Sequence, residues 1–391
     1  MVLERADDSS FVYVLFLIMH CQFAIHVIAF AFVLAGAKSG LLAPPAEAQT
    51  LQLGPDVTFK ITGTVQPRVS YGYQDGDEPT ERMGIGLRRA RFQMNASYRD
   101  QLGFEFDFDG GPGTVTAVDL FGFYNVSETL QIRAGRQPGA QPRSYIPTSH
   151  SRIDAIERAA IAERWAGGTI GSSGRDIGLD LEYASGGTEA VLFVHSGTGS
   201  FSRTDGNFRE SITRDPVTRG TDEVGLAVTG MVSQEVSALP GIEIGAFAGI
   251  NPVGSDRTAL NDTPRGYATG GAHLYWGAEP GSQVLRIKLD ALGIRYDEVG
   301  QQQQDAVGLS GFGAIRVLSH GELFGRYERF WDDVDVDDTA TSYLTLGGSY
   351  SISASQGRSY RNVRVTLAYA NREVVTNEDA HLVVLQGQFA F

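Results

Sequence analysis

The chain has 391 residues, of which 42% are hydrophobic and 20% charged, and its formal net charge is −14 at pH 7. A mean hydropathy of −0.13 argues against a bundle of membrane helices, and an acidic balance without a basic tract argues against a nucleic-acid-binding protein. The single cysteine, Cys21, lies in an apolar N-terminal stretch, so a mature chain without that stretch has no disulfide framework and no cysteine metal site.

The N-terminal stretch at 11–36 is almost wholly apolar and is typical of the targeting segment of an exported protein. The sequence Ala-Glu-Ala at 46–48 fits a small-x-small cleavage site, so we predict a signal peptide over residues 1–48. A transmembrane anchor is the alternative, because the stretch is long enough to span a bilayer. The sequence leaves open whether translation starts at Met1 or at Met19.

From residue 57 onward, apolar and polar residues alternate with a period of two. The segment at 57–73 reads VTFKITGTVQPRVSYGY, with mainly aliphatic and aromatic residues on one face and polar residues on the other. Strands of soluble proteins are usually about 5–6 residues long, whereas this run can cross a membrane at a tilt. A face without charge beside a face with charges of both signs suits a closed barrel with lipid outside and water inside.

The pattern recurs in sixteen segments and predicts an all-β fold, a sixteen-stranded antiparallel transmembrane β-barrel within residues 49–391. The segments are 57–73, 84–99, 101–110, 114–126, 129–137, 175–185, 188–199, 221–234, 241–254, 266–277, 283–296, 306–319, 320–334, 339–353, 361–374 and 380–391. Short connections alternate with longer ones, as in bacterial outer-membrane barrels. We therefore expect the protein in the cell outer membrane, with both ends of the barrel on the periplasmic side.

The last predicted strand reads AHLVVLQGQFAF and ends in Phe391. A terminal aromatic residue on a final amphipathic strand resembles the signal that the outer-membrane assembly machinery reads. The barrel assembly machinery is therefore an expected partner, besides outer-membrane lipid and lipopolysaccharide. A buried strand of a soluble sandwich is the alternative interpretation.

Residues 138–174 form the longest gap between predicted strands and break the alternation. Ser151 as N-cap, with Asp154 three residues on, predicts a helix start, and apolar residues recur at helical spacing up to Trp165 before a glycine pair. Sixteen strands enclose a lumen too wide for wall side chains to fill. We therefore predict that this third loop contains a short helix, folds inward and constricts the lumen; a surface loop is the alternative.

The sequence around this loop resembles the phosphate-selective porin O/P family. The shared features are Gly135-Arg136 at a strand end, the segment from Tyr145 to Ser149, Ile156-Glu157-Arg158 within the loop, and Gly174-Arg175-Asp176-Ile177-Gly178 at the next strand. The arginine-rich second strand and residues 322–328 are similar too. The resemblance runs over most of the mature chain and implies a homotrimeric barrel whose inward loop and wall arginines guide small anions.

Arginines are the candidate solute-contacting residues, because a guanidinium stays charged and offers a fork of donors to phosphate or carboxylate. Several of them in a narrow passage raise the local anion concentration. The candidates are Arg89, Arg91, Arg99 and Arg133 on the predicted wall, and Arg143, Arg152, Arg158 and Arg164 in the loop. The alternative is that they pair with Glu105, Asp107, Glu157, Glu163 and Asp180 and hold wall and loop together.

Two features weaken a phosphate preference. The lysines after residue 48 are Lys60 and Lys288, so no lysine cluster recruits phosphate, and the seventh loop at 332–338 is strongly acidic. That loop lacks the glycine and glutamate of a calcium loop and is interpreted as solvated, with opportunistic calcium as the alternative. We expect a passive porin for small hydrophilic solutes that leans toward anions; a weakly selective porin and a plugged structural or interaction barrel are the alternatives.

The sequence shows no pattern expected of an enzyme, a cofactor site or a metal site. Histidines are scattered without ligand spacing. The pairs His195-Ser196 and Ser149-His150 are adjacent, so on a strand their side chains would point to opposite faces. The glycines near the end of the third loop form no phosphate-binding fingerprint. We therefore predict no catalytic residue, no cofactor and no bound metal.

Overall fold

The computed structural model describes residues 49–76, 79–111, 113–145, 147–168, 174–197, 226–252, 266–299, 302–374 and 379–391. The predicted signal peptide at 1–48 and parts of several predicted loops lie outside the described residues. Among the residues described, no helix has both the length and the apolar character needed to cross a membrane.

The described part of the chain is built mainly of β-strands. In chain order they are β1 (Gln49–Gln52), β2 (Val57–Gln74), β3 (Thr80–Tyr98), β4 (Leu102–Asp109), β5 (Thr116–Asn125), β6 (Leu130–Gln137), β7 (Asp176–Ser185), β8 (Thr188–His195), β9 (Ala227–Glu235), β10 (Ile242–Asn251), β11 (Tyr267–Trp276), β12 (Leu285–Val299), β13 (Gln302–Leu318), β14 (Gly321–Trp331), β15 (Ala340–Ser351), β16 (Val363–Val374) and β17 (Ala380–Ala390). The α-helix α1 spans Ala160–Gly168, and short 3₁₀ turns lie at His150–Arg152 and Ala354–Gln356.

The strands β2 to β17 form a closed barrel, which confirms the predicted sixteen-stranded antiparallel fold. Each strand pairs with the next, and β17 returns to pair with β2, ending at Ala390 opposite Thr64. The sequence pattern missed β1, which pairs with β2 over Thr58 to Ile61. Beside this seam Gly63 has no side chain, and a Cβ there would lie 2.4 Å from Cζ of Phe391. Glycine therefore makes room for the last aromatic ring.

The two faces of the barrel wall confirm the predicted inside-out pattern. Large apolar side chains are exposed on the outer face, with Ile85 at 83% and Leu289 at 50%. Charged and polar side chains are buried on the inner face, among them Arg89 at 3% and Gln66 at 1%. Exposed aliphatic side chains around a closed barrel are stable only against lipid hydrocarbon, so the outer face is the membrane-facing surface.

A β-bulge interrupts the alternation in β3. Gln66 faces Arg89, but the next residue, Pro67, faces Leu87, so Arg88 has no partner of its own in β2. Proline has no N–H to donate to a ladder, which favours a bulge at this point. As a result Arg88 and Arg89 both point into the lumen, although they are adjacent in sequence.

The third loop, between β6 and β7, lies inside the barrel, as predicted, but its helix begins later than predicted. Ser149 rather than Ser151 precedes the first 3₁₀ turn, no side chain caps that turn, and Ile153 is extended. The helix α1 begins at Ala160, whose N–H donates to Oε1 of Glu328 at 2.5 Å. A carboxylate from the barrel wall thus caps the helix, which no local sequence pattern could reveal.

Candidate functional site

The helix α1 packs on an apolar part of the inner wall, which we call the apolar wall. It consists of Phe193, Met231, Phe247, Tyr267, Leu292, Ile294, Tyr296, Ala306 and Phe330 on β8 to β14, and the helix contributes Ile161, Ala162 and Trp165. Trp165 is fully buried, lies edge-on to Phe247 at 6.0 Å, and donates from Nε1 to Oγ1 of Thr269 at 3.1 Å. This side of the lumen is therefore a packed hydrophobic core.

The opposite attachment of the loop is ionic. Glu157 forms ion pairs with three inward arginines of β2 and β3, which we call the arginine cluster: Arg68, Arg88 and Arg89. Arg88 donates two hydrogen bonds to the carboxylate of Glu157, from Nε to Oε1 at 2.7 Å and from Nη2 to Oε2 at 2.9 Å. Arg68 adds a bond of 2.7 Å. Two-pronged guanidinium binding is the strong, directional form of an ion pair.

The electrostatics of the loop follow from this crowding of guanidiniums. Burial acts to raise the pKa of Glu157, but the hydrogen bond and charge of Arg88, with the charges of Arg89 and Arg68, outweigh it and lower the pKa to about 2. Burial, reinforced by Arg89, lowers the pKa of the neighbouring Arg158 to about 9, so it stays cationic at neutral pH. The loop is therefore fixed by a carboxylate that remains ionised over the physiological range.

Between these two attachments, the loop is bonded to the wall at further points. Asp154 accepts from Nη1 of Arg286 at 2.5 Å and from Nζ of Lys288 at 2.6 Å. The carbonyl of Ile153 accepts from buried Arg364 at 2.7 Å. Ion pairs with Lys288 and Arg286 lower the pKa of Asp154 against the opposing effect of burial. The loop carbonyls and carboxylates thus bond to the wall, which explains why residues 153–159 are not helical.

The predicted arginines of the wall lie in three different settings. Arg89 joins the arginine cluster and donates to Oε1 of Gln66 at 2.9 Å. Arg91 pairs with Asp107 at 3.0 Å and with Asp109 at 3.1 Å, and Arg133 pairs with Asp180 at 2.5 Å and with Glu182 at 2.6 Å. Arg99 lies in the tight turn after β3, with its side chain 63% exposed and paired with Asp56 at 3.0 Å. The turn thus keeps Arg99 at the barrel rim.

The predicted arginines of the loop are also mostly engaged. Arg143 pairs with Glu243 at 2.7 Å, Arg152 pairs with Glu279 at 3.0 Å, and Arg164 pairs with Asp332 of the seventh loop. Arg158 differs, because it donates to two backbone carbonyls, those of Tyr145 at 2.8 Å and Thr148 at 3.0 Å. Among the described residues no carboxylate forms an ion pair with Arg158.

Sequence reasoning missed several basic residues that contact the loop. Arg68 belongs to the polar face of the first predicted strand but was not among the candidate residues. Arg88 was missed because regular alternation cannot place both Arg88 and Arg89 on the inner face; only the bulge does. The others are Arg286, Lys288, Arg326 and Arg364, which contact loop carboxylates or carbonyls. Two features of the sequence could have identified them. They lie on the face of an alternating strand that points into the lumen, and the third loop is rich in carboxylates.

A cavity of about 480 Å³ lies between the loop and the inner wall, at the ends of β2, β3, β16 and β17 that carry the longer loops. Its charged lining residues are Arg82, Arg158, Arg326, Arg372, Glu157, Glu163 and Glu328. Glu157 is held by the arginine cluster, and Glu328 pairs with Arg326 at 2.8 Å. Guanidiniums therefore outnumber carboxylates on the surface of this cavity.

Two inward clusters combine serine, histidine and a carboxylate, the residue types of a hydrolase. Ser233 lies 3.0 Å from Nε2 of His273, but Glu243 approaches the same nitrogen at 3.2 Å. In a nucleophile-activating relay the acid would hold the other ring nitrogen. In the second cluster Asp176 accepts from both His195 and Ser196 and ties them to the base of the third loop. Within the described ranges, no group of three potential metal ligands is found.

Solved structures with the same fold are outer-membrane proteins. The anion-selective porin from Comamonas acidovorans superimposes with a TM-score of 0.61 at 16% identity, over 86% of this chain and 100% of that one. The outer-membrane channel DcaP of Acinetobacter baumannii gives 0.56 at 11%, over 87% and 99%. The trimer form of OmpT from Vibrio cholerae gives 0.56 at 12%, over 86% and 100%.

By sequence the chain matches no known protein family model, and no curated protein matches it either. At these identities, the structural likeness shows the fold alone. A closed antiparallel barrel with an apolar exterior, shared with these proteins, is an outer-membrane β-barrel.

Proposed function

We propose that this barrel is a passive diffusion porin for small hydrophilic solutes, with a preference for anions. The observation that carries the proposal is the inside-out wall: lipid-facing aliphatic side chains surround a lumen lined by charges, in which the third loop is fixed. Such a barrel encloses water, and a loop held against its wall narrows the passage without closing the fold. The likeness to porins and channels of the outer membrane supports this proposal.

The preference for anions rests on the charge balance of the cavity beside the loop. Arg158 lacks a carboxylate partner among the described residues, and Arg82 and Arg372 form no ion pair in the same part of the chain. Unpaired guanidiniums in a low-dielectric passage attract anions and repel cations. The resemblance to the phosphate-selective porin O/P family points the same way, and phosphate is the solute that it suggests.

The proposal includes a homotrimer, because the resemblance implies one and a structural neighbour is described in its trimer form. It also includes recognition by the barrel assembly machinery through Phe391, whose backbone pairs with Gly63 at the seam.

The weakly selective porin remains the second candidate. It is favoured by the ion pairs that neutralise Arg91, Arg133, Arg143 and Arg152.

Reversal potentials in planar bilayers under a potassium chloride gradient test both candidates. We expect open channels whose potential has the sign of anion preference, and Arg158→Gln should shift it toward cations, since it removes a cation without freeing a carboxylate. Arg152→Gln is the matched control, because Arg152 lies at the rim and its partner Glu279 keeps an ion pair with Arg361 at 3.7 Å. Absence of conductance would refute the porin, and an equal response of the two variants would favour a weakly selective one. Replacing chloride by phosphate tests the solute.

A further inference from the structure

An apolar groove of about 690 Å³ crosses the outer face of the barrel over β11 to β14. Its floor is made by small outward residues, Ala272, Ala291 and Gly311, and its sides include Leu274 and Leu289. Ala272 of β11 pairs with Ala291 of β12, and Leu289 of β12 pairs with Gly311 of β13. Pairs of small residues therefore lie beside pairs that contain a large one. The depression is therefore set by the strand register, on a surface that faces lipid.

An outward-facing guanidinium lies at one edge of this groove. Arg329 of β14 is exposed between Tyr327 and Trp331, which also line the groove, and its Cζ lies 5.0 Å from the ring centroid of Trp331. The neighbours in chain order, Glu328 and Phe330, are buried on the inner face. In the described part of the chain no carboxylate pairs with Arg329. A cation on the lipid-facing surface is unfavourable unless an anion meets it.

The position of Arg329 along its strand identifies the membrane leaflet. The strand β14 starts after the short turn at 319–320 and ends at Trp331, before the longer acidic loop at 332–339. Short turns lie on the periplasmic side of such barrels and longer loops on the outside. Arg329 is therefore two residues below the external end of its strand, at the depth of the head groups of the outer leaflet.

We propose that this groove binds the acyl chain of a phosphorylated glycolipid, the lipid A part of lipopolysaccharide, and that Arg329 binds its phosphate. The groove supplies apolar contact for a hydrocarbon chain, and Tyr327 and Trp331 supply the amphipathic rings typical of the membrane interface. The guanidinium fork matches phosphate in geometry and charge. This lipid site does not depend on what passes through the lumen.

The test is native mass spectrometry of the purified barrel with defined lipids. Wild type should bind lipid A, and Arg329→Gln should weaken binding by about tenfold, the effect of one lost charge-assisted bidentate contact. Arg295→Gln is the matched control, because Arg295 is also exposed on the outer face but pairs with Asp305 at 2.8 Å. It should bind as wild type does. Ala291→Phe, which fills the groove, should weaken binding through the acyl chain.

Heat-modifiable migration on gels shows for each variant that the barrel is folded. Equal binding by wild type and Arg329→Gln would overturn the phosphate contact. Equal binding of lipid A without phosphates, or of phosphatidylglycerol, would overturn the choice of a phosphorylated glycolipid. If Ala291→Phe left lipid binding intact but dissociated an oligomer, the occupant of the groove would be a second copy of the chain, and the proposal would be wrong.

Discussion

The apolar wall and the arginine cluster hold the same loop by opposite physical means. Around Trp165 the lumen is filled by buried apolar side chains, as in the core of a soluble protein. Around Glu157 it is a network of guanidiniums and carboxylates in which several side chains keep some solvent contact. Hydrophobic burial depends little on salt and pH, whereas ion pairs depend on both. We infer that the apolar wall fixes where the loop lies and that the arginine cluster sets the charge it presents.

The largest effect should come from breaking the apolar attachment. Trp165→Ala removes a fully buried indole and should destabilise the docked loop by about 3–5 kcal/mol. We expect larger and noisier single-channel currents and faster proteolysis within the loop, while heat-modifiable migration shows an intact barrel. Trp276→Ala is the control, because Trp276 is exposed on the outer face. Unchanged currents in Trp165→Ala would show that the apolar wall does not hold the loop.

A smaller effect should follow from breaking the ionic attachment. Glu157→Gln leaves Arg68, Arg88 and Arg89 without their shared carboxylate, so the chloride-to-potassium permeability ratio should rise about threefold or more. The current noise should stay low, because α1 remains on the apolar wall. Glu163 lines the same cavity but forms no ion pair within the described residues. Glu163→Gln removes the same charge without breaking an ion pair and should change the ratio less. Equal ratios in the two variants would contradict the importance of the arginine cluster.

The smallest effect is expected from acid. The pKa of Glu157 is lowered in the folded protein to about 2, so its ion pairs are fully present above the pKa of an unfolded glutamate and are lost as pH falls through about 2. In the Glu163→Gln variant, which lacks the cavity carboxylate whose pKa is raised by burial, selectivity should therefore drift only slightly in channel recordings between pH 7 and pH 4. A rise in anion preference centred near pH 4.5 in that variant would mean that Glu157 titrates as a free carboxyl group.

The alternation of apolar and polar residues predicted almost the whole barrel, because lipid imposes it on every strand. Predicted and observed strands agree to within a few residues wherever both can be compared. The short strand β1 was missed because four residues carry no detectable period. The helix start was wrong because the cap of α1 is Glu328, a residue 168 positions away in the chain. Long-range partners of this kind leave no local trace in a sequence.

The candidate site was predicted less completely than the fold. Arginines of the wall and loop were recognised as a group, yet most of those eight residues are paired with carboxylates, which was the alternative interpretation. Their role in guiding anions stays a prediction. The apolar wall was not predicted. Its inward residue Phe247 lies in a part of β10 where neither face carries a polar side chain, so the sequence does not distinguish the inward face from the outward one.

The bulge at Arg88 has a consequence for how this lumen can vary in evolution. The bulge brings a second guanidinium to the same level of β3 by adding a residue, not by substituting one. On both sides of the bulge, the outward side chains of β3 still face the bilayer. Loss of a single codon there would restore regular pairing and remove one positive charge, with no rearrangement of the lipid-facing side chains. Insertions and deletions, usually confined to loops, can thus retune the interior of a barrel through its wall.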